Sequence, residues 1–217
     1  MSDRKSITEE GFSKKVQEIC RDSDQVDPAH DVHHYERVVA TAKSLAVEVN
    51  ADLRMVIPAA WFHDFVVISK KDPRRKQASQ ISSQAAVQYL KQLGYPEQYL
   101  DGISHAIEAH SYSAAIEAKT LEAKVVQDAD RLDALGAIGV ARCFSQGGTL
   151  GRPFYRTEDP LCESRDPQDS IWTVDHFYQK LFKIVETLHT ESARKEGARR
   201  AETMQIYLRE LKREIQS

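Results

Sequence analysis

Three features of the 217-residue sequence predict an all-α fold. Apolar residues recur with the period of amphipathic helices along most of the chain, and period-two strand patterns are nearly absent. The breaks between periodic segments coincide with helix stop signals such as Gly94-Tyr95-Pro96. In chain order, Phe12, Val16, Ile19 and Cys20 share one face of a helix over 7–20. A polar loop over 22–31 contains Asp27-Pro28. The stripe Val38, Val39, Ala42, Leu45, Ala46 and Val49 then marks a second helix. Its start can be capped by Asp27, with Pro28 in the first turn, or by Asp31. Residues 52–68 read as a buried helix, in tension with the interior Pro58, which removes a backbone hydrogen bond. A basic loop over 70–78 is followed by helices over 78–93 and 97–110. Residues 121–144 read as helical with a break near Asp128. Residues 145–170 contain Gly and Pro with little periodicity, as a long connector or a lid would. Helices over 172–188 and 191–215 complete an expected single domain over 1–217. Its motif-bearing core covers about 28–144, and the loop and C-terminal helices cover 145–217.

Composition narrows the function classes. The chain is 41% hydrophobic and 29% charged, with a formal net charge of −3. Such balance, with no basic stripe, gives no electrostatic case for a nucleic-acid or membrane partner. Cys20, Cys143 and Cys162 are odd in number, widely spaced and without a CxxC pair, which points to a reducing compartment. Met1 to Lys5 has no apolar core behind it, so no signal peptide is expected. No apolar run approaches the ~20 residues of a membrane helix. The expectation is a soluble cytoplasmic protein, with the oligomeric state not legible.

The chemistry centres on Ala59-Ala60-Trp61-Phe62-His63-Asp64-Phe65-Val66, a His-Asp dyad inside an apolar run. A buried carboxylate costs several kcal/mol unless compensated. A bound divalent cation compensates directly, using both groups as ligands. His34 and Asp130 extend the ligand series, Asp130 lying among the carboxylates of Gln127-Asp128-Ala129-Asp130-Arg131-Leu132-Asp133. Each residue alone has a bland reading. His34 can be a hydrogen-bonded core histidine, Asp128 an N-cap, Asp130 a cap, and Asp133 the partner of Arg131 or Lys124. His30 and His34, at i and i+4, also have the spacing of a metal pair.

The ordered motifs His30-Asp31-Val32-His33-His34-Tyr35-Glu36-Arg37-Val38, Phe62-His63-Asp64 and Asp128-Ala129-Asp130-Arg131-Leu132-Asp133 resemble those of HD-domain metal-dependent phosphohydrolases. The segments 106–113 and 175–181 are similar to a bacterial subgroup that includes a nucleoside triphosphate pyrophosphohydrolase. The resemblance runs along nearly the whole chain. It implies a helical bundle in which His34, His63, Asp64 and Asp130 ligate one divalent metal. It also favours His34 over His30, leaving His30 and His33 at the edge of the site or hydrogen-bonded locally. Asp31 then caps the helix or orients a ligand.

Two imidazoles and two carboxylates with no thiolate suit Mn²⁺, with Mg²⁺, Co²⁺, Ni²⁺ or Fe²⁺ as other occupants, better than structural zinc. Open coordination positions would take a phosphate oxygen and a nucleophilic water, so hydrolysis of a phosphoester or phosphoanhydride is the natural reaction. Asp64, His110 and Arg37 are the candidate catalytic residues. His105 and His110 diverge by about 140° on a regular helix, so both face one site only if the helix ends between them. His110, near the helix end, is the better phosphate donor or proton shuttle, although a hydrogen-bonded structural role explains it equally. Arg37 shares a helix face with His34 and suits bidentate phosphate binding, or else pairs with a nearby carboxylate. Arg75 and Lys76, with Arg74 in the same run, would bind substrate phosphates at a cleft mouth, or be a solvated surface. Arg131 is expected to be structural. The Gly-containing stretch from Gly147 lacks the P-loop spacing. The expected substrate is a small phosphorylated molecule, a nucleotide, with a (d)NTP split to monophosphate and pyrophosphate. Alternatives are a nucleoside monophosphate or phosphoester phosphatase, and a metal- and nucleotide-binding regulator without turnover.

Overall fold

The computed structural model describes residues 7–22, 31–68 and 72–216, and its architecture is all-α, with no strand among the described residues. In chain order the first helices are α1 (Glu9–Asp22), α2 (Val32–Val49), α3 (Leu53–Phe62) and α4 (Ala78–Leu93). They are followed by α5 (Leu100–His110), α6 (Leu121–Asp133), α7 (Gly136–Thr149), a short α8 (Phe182–Ile184) and α9 (Glu191–Gln216). The described residues pack as two compact units, one up to Asp130 and one from Arg131, dividing inside α6.

In the first unit α3 is the axis. Val56, Ala59, Ala60 and Phe62 are fully buried, and α1, α2, α4 and α5 all pack on this helix. A helix that is apolar all round belongs in such a position. Phe12 of α1 meets Phe62 edge-on at 5.1 Å. The α2 stripe Val38, Val39, Ala42, Leu45 and Ala46 is buried as its spacing predicts. Asp31 caps α2, its Oδ1 accepting from the His34 N–H at 3.1 Å. The alternative cap at Asp27-Pro28 lies outside the described residues, as do His30, Lys70 and Lys71.

Pro58 is accommodated inside α3 by a side chain from elsewhere. A proline at 58 leaves the carbonyl of Arg54 without its helical donor, and the Tyr95 hydroxyl donates to that carbonyl at 2.5 Å. The helix is shorter than the expected 52–68. Asp52 caps its start, accepting from the Arg54 N–H at 2.9 Å, and regular helix stops at Phe62. Beyond it the backbone turns: Phe65 N–H donates to the Phe62 carbonyl at 3.1 Å and Val66 N–H to the Ser82 hydroxyl at 3.1 Å. The His63-Asp64 dyad therefore sits at the helix end and in this turn, not within a continuous helix.

The break expected near Asp128 falls at Ala134-Leu135 instead, where Gly136 takes φ 73°. That left-handed conformation suits glycine. Asp128 is fully buried inside α6, so it is not an N-cap. α7 then runs into the expected loop as far as Thr149. In the second unit α7 packs on α9, and Phe177 stacks on Tyr207 with ring centroids 6.4 Å apart. The irregular segment after α7 is pinned by the fully buried Asp175 carboxylate, which accepts from both Arg165 Nη atoms, one at 2.8 Å, and from the Gln168 N–H at 2.6 Å. The helix expected from 172 begins later, as a π turn over Phe177–Leu181 leading into α8. Asp133 pairs with Arg142 at 2.6 Å rather than with Arg131 or Lys124. Arg131 is structural as expected, donating to the Thr187 carbonyl at 2.7 Å. The three cysteines form no disulfide, and no helix among the described residues is long and apolar enough to cross a membrane.

Candidate metal centre

Four elements of the first unit bring five side chains together. α2 supplies His34, the end of α3 and its turn supply His63 and Asp64, α5 supplies His110 as its last residue, and α6 supplies Asp130. All three histidines are buried. The carboxylates are partly open, with side-chain exposure of 24% for Asp64 and 27% for Asp130. A centre with its imidazoles inside and its carboxylates at the rim leaves one side accessible to a ligand.

Hydrogen bonds fix the direction of the rings. His63 Nδ1 lies 2.8 Å from the Ala60 carbonyl, and His110 Nδ1 lies 2.6 Å from the Ile107 carbonyl. A carbonyl accepts only, so each Nδ1 carries the proton and, in the neutral ring, each Nε2 presents a lone pair. Such a bond to the far nitrogen is the usual way a ligating histidine is oriented. His63 Nε2 is 3.1 Å from His34 Nε2, 3.9 Å from Asp64 Oδ2 and 3.9 Å from Asp130 Oδ1. His34 Nε2 is 3.7 Å from Asp130 Oδ1, and His110 Nε2 is 3.6 Å from Asp64 Oδ1. With metal–ligand bonds of about 2.1 Å, neighbouring donors of an octahedron lie about 3.0 Å apart and opposite ones about 4.2 Å apart. The observed separations fall within that range inside each of two triads, so each triad could hold a divalent ion. Two overlapping triads, His34-His63-Asp130 and His63-Asp64-His110, share His63.

The electrostatics match such a site. Burial holds the His63 imidazole below its ordinary pKa, against the opposing pull of Asp64 and Asp130. Burial works the same way on His110, but the Asp64 carboxylate, with Asp130 and the Ile107 carbonyl, outweighs it and raises that ring's pKa. For Asp130, burial favours the neutral acid, yet His63, His110 and His34 outweigh it and keep the carboxyl below its usual range.

The remaining sequence candidates fall outside this cluster. His105 accepts from the Lys119 N–H at 3.0 Å, in keeping with its divergence from His110. His33 pairs locally with Glu36 at 2.9 Å. Arg37 is half-buried one turn after His34; the hydrogen bond to Glu36, with Asp31 beside it, raises the His33 pKa against a smaller opposing influence of Arg37. Arg74 is engaged with Asp72 at 2.8 Å, Arg75 reaches the Ile68 carbonyl at 3.5 Å, and Lys76 is exposed. Two polar residues close to the cluster escape a reading based on ligand types. The Tyr35 hydroxyl donates to the Asp64 carbonyl at 3.0 Å, and Gln127 Nε2 donates to the Ala109 carbonyl at 2.5 Å. Gln127 precedes Asp130 by one helical turn, and Tyr35 follows His34 directly. Those positions were the available signals.

Known proteins share the domain and the fold that carry this cluster. Residues 31–135, which contain all five clustered side chains, match the HD domain model. The chain is 31% identical to YpgQ of Bacillus subtilis over 204 residues, covering 92% of this chain and 90% of that protein. The structure of Bacillus subtilis YpgQ in complex with ADP superposes with a TM-score of 0.74 at 30% identity, covering 96% of this chain and 98% of that one. An HD-superfamily hydrolase from Bacillus thuringiensis superposes with a TM-score of 0.73 at 27% identity, covering 96% of this chain and 97% of that one. With the motifs, the helical architecture and a full-length relative in agreement, this chain belongs to the HD-domain family.

Proposed function

We propose that the protein is a divalent-metal-dependent phosphohydrolase acting on nucleotides, splitting a (d)NTP to the monophosphate and pyrophosphate. The observation that carries the hydrolytic reading is the clustering of three buried imidazoles and two partly open carboxylates in two triads that share His63. Nucleotide as the substrate class is supported by the ADP bound in the related YpgQ structure.

In this reading His34, His63, Asp64 and Asp130 hold one divalent ion, of which Mn²⁺ suits the N/O donor set. When bound, such an ion supplies Lewis acidity toward a phosphate oxygen and lowers the pKa of water. The chain's own residues do the rest. The carbonyls of Ala60 and Ile107 keep His63 and His110 from rotating. Arg37, with Arg75 and Lys76 further out, binds the substrate phosphates. His110, whose Nε2 faces Asp64, holds a proton there and passes it to the departing oxygen. Water adds to the α-phosphorus and releases a proton to solvent, the bond to the bridging oxygen breaks, and pyrophosphate leaves with the proton from His110.

Product analysis tests this. Chelator-stripped protein is given Mn²⁺, Mg²⁺, Co²⁺ or Ni²⁺ with NTPs, dNTPs, nucleoside monophosphates and simple phosphoesters, with His63→Ala as control. Monophosphate plus pyrophosphate, absent from the control, is expected. Free phosphate from monophosphates would instead indicate a nucleotidase, and tight nucleotide binding without product a regulator.

A further inference from the structure

We infer that Tyr35 is a positioning residue for Asp64, using its hydroxyl to fix the turn that presents this carboxylate. The inference rests on the metal-centre reading above. Asp64 lies beyond the last residue of α3, so its peptide is outside the helical hydrogen-bond ladder. Hydrogen bonds within the turn and to α4 and α2 hold it, the Ser82 hydroxyl also reaching the Val66 carbonyl at 3.3 Å. Phe65 N–H donates to the Phe62 carbonyl, Val66 N–H donates to the Ser82 hydroxyl, and the Tyr35 hydroxyl donates to the Asp64 carbonyl at 3.0 Å. The first is local. The other two tie the turn to α4 and α2, and the Tyr35 bond falls on the peptide of Asp64 itself.

Tyr35 is also where a coupling residue has to be. It follows His34 on α2, is 1% exposed, and its ring lies 5.5 Å from the His34 ring and 5.1 Å from the His63 ring. One side chain thus packs on two proposed ligands and bonds the backbone of a third. A phenylalanine would fill the same apolar space, and a buried hydroxyl is costly unless bonded. The hydroxyl therefore has a role separate from packing, which is to hold the Asp64 carbonyl and, through it, the carboxylate.

Tyr35→Phe removes that bond alone. Tyr95→Phe is the matched control, because Tyr95 also donates to a backbone carbonyl of α3, at Arg54, away from the ligands. Ser82→Ala loosens the same turn from α4 and serves as the second variant. Each full-length protein is chelator-stripped, melted without metal, and titrated with Mn²⁺ by calorimetry, beside wild type and Asp64→Ala. Tyr35→Phe is expected to bind Mn²⁺ about tenfold more weakly, Ser82→Ala to weaken in the same direction, and Tyr95→Phe to melt lower but bind like wild type. Unchanged affinity in Tyr35→Phe, whatever Ser82→Ala shows, with binding lost in Asp64→Ala, would overturn the role of Tyr35 and leave the metal centre standing. No uptake by wild type would overturn the metal centre itself.

Discussion

The Nε2 atoms of His34 and His63 face each other at 3.1 Å, with both rings all but excluded from water. His63 already spends its Nδ1 proton on the Ala60 carbonyl, so its Nε2 offers a lone pair. In the proposed function a cation would take this lone pair, and the Asp64 and Asp130 carboxylates at 3.9 Å from His63 Nε2 would supply the balancing charge. Replacing His63 or Asp64 with alanine is expected to abolish both stoichiometric Mn²⁺ uptake and turnover. Metal analysis after dialysis checks this, and full occupancy in either variant would contradict the ligand assignment.

In the proposed function Arg37 binds substrate rather than metal. Arg37→Gln should raise KM by roughly 30-fold, corresponding to about 2 kcal/mol for a charged hydrogen bond. Mn²⁺ affinity should stay at the wild-type value. Steady-state kinetics beside a Mn²⁺ titration separates the two effects, and an unchanged KM removes Arg37 from the site.

The sequence carried much of this because the proposed ligands are unusual residues in unusual places. His63-Asp64 interrupts an apolar run, and Asp130 lies in a helix whose neighbours Ala129 and Leu132 are buried. The α2 stripe and the Asp31 cap were legible from local spacing for the same reason. What was not legible depends on partners distant in sequence. Pro58 reads as a helix breaker until Tyr95 is seen to take the carbonyl it frees. The end of α3 is bonded to Ser82, and Asp133 finds Arg142 across the helix break at which Gly136 takes a left-handed conformation. His110 was recognisable as the better of two histidines, but its contact with Asp64 needed the fold.

The buried Arg165–Asp175 pair should make the second unit sensitive to acid. Burial favours the neutral acid, but the Arg165 guanidinium and the Gln168 N–H outweigh it and hold the Asp175 pKa below its ordinary value. Its contribution is therefore present above the unfolded pKa, near 4, and is lost as pH falls through the lower folded value. Asp175→Asn should cost about 3 kcal/mol at neutral pH by leaving Arg165 unpaired. Melting curves as pH falls below about 4 should converge for the two proteins. A constant gap at all pH values would contradict the assignment.

Two glycines of α7 should respond in opposite ways. Gly136 has φ 73°, and an added Cβ would lie 3.1 Å from Arg200 Cγ, so Gly136→Ala should destabilise by about 1–2 kcal/mol. An added Cβ at Gly148 meets nothing within 4 Å, so Gly148→Ala should be neutral or stabilise by up to about 1 kcal/mol. Denaturant unfolding of both variants measures the contrast.

The most direct test of the metal centre is anomalous diffraction at the manganese edge from crystals of chelator-stripped protein soaked in Mn²⁺. A single peak within bonding distance of His34 Nε2, His63 Nε2 and the Asp64 and Asp130 carboxylates is predicted. A peak elsewhere, or none with the five side chains unmoved, would contradict the account.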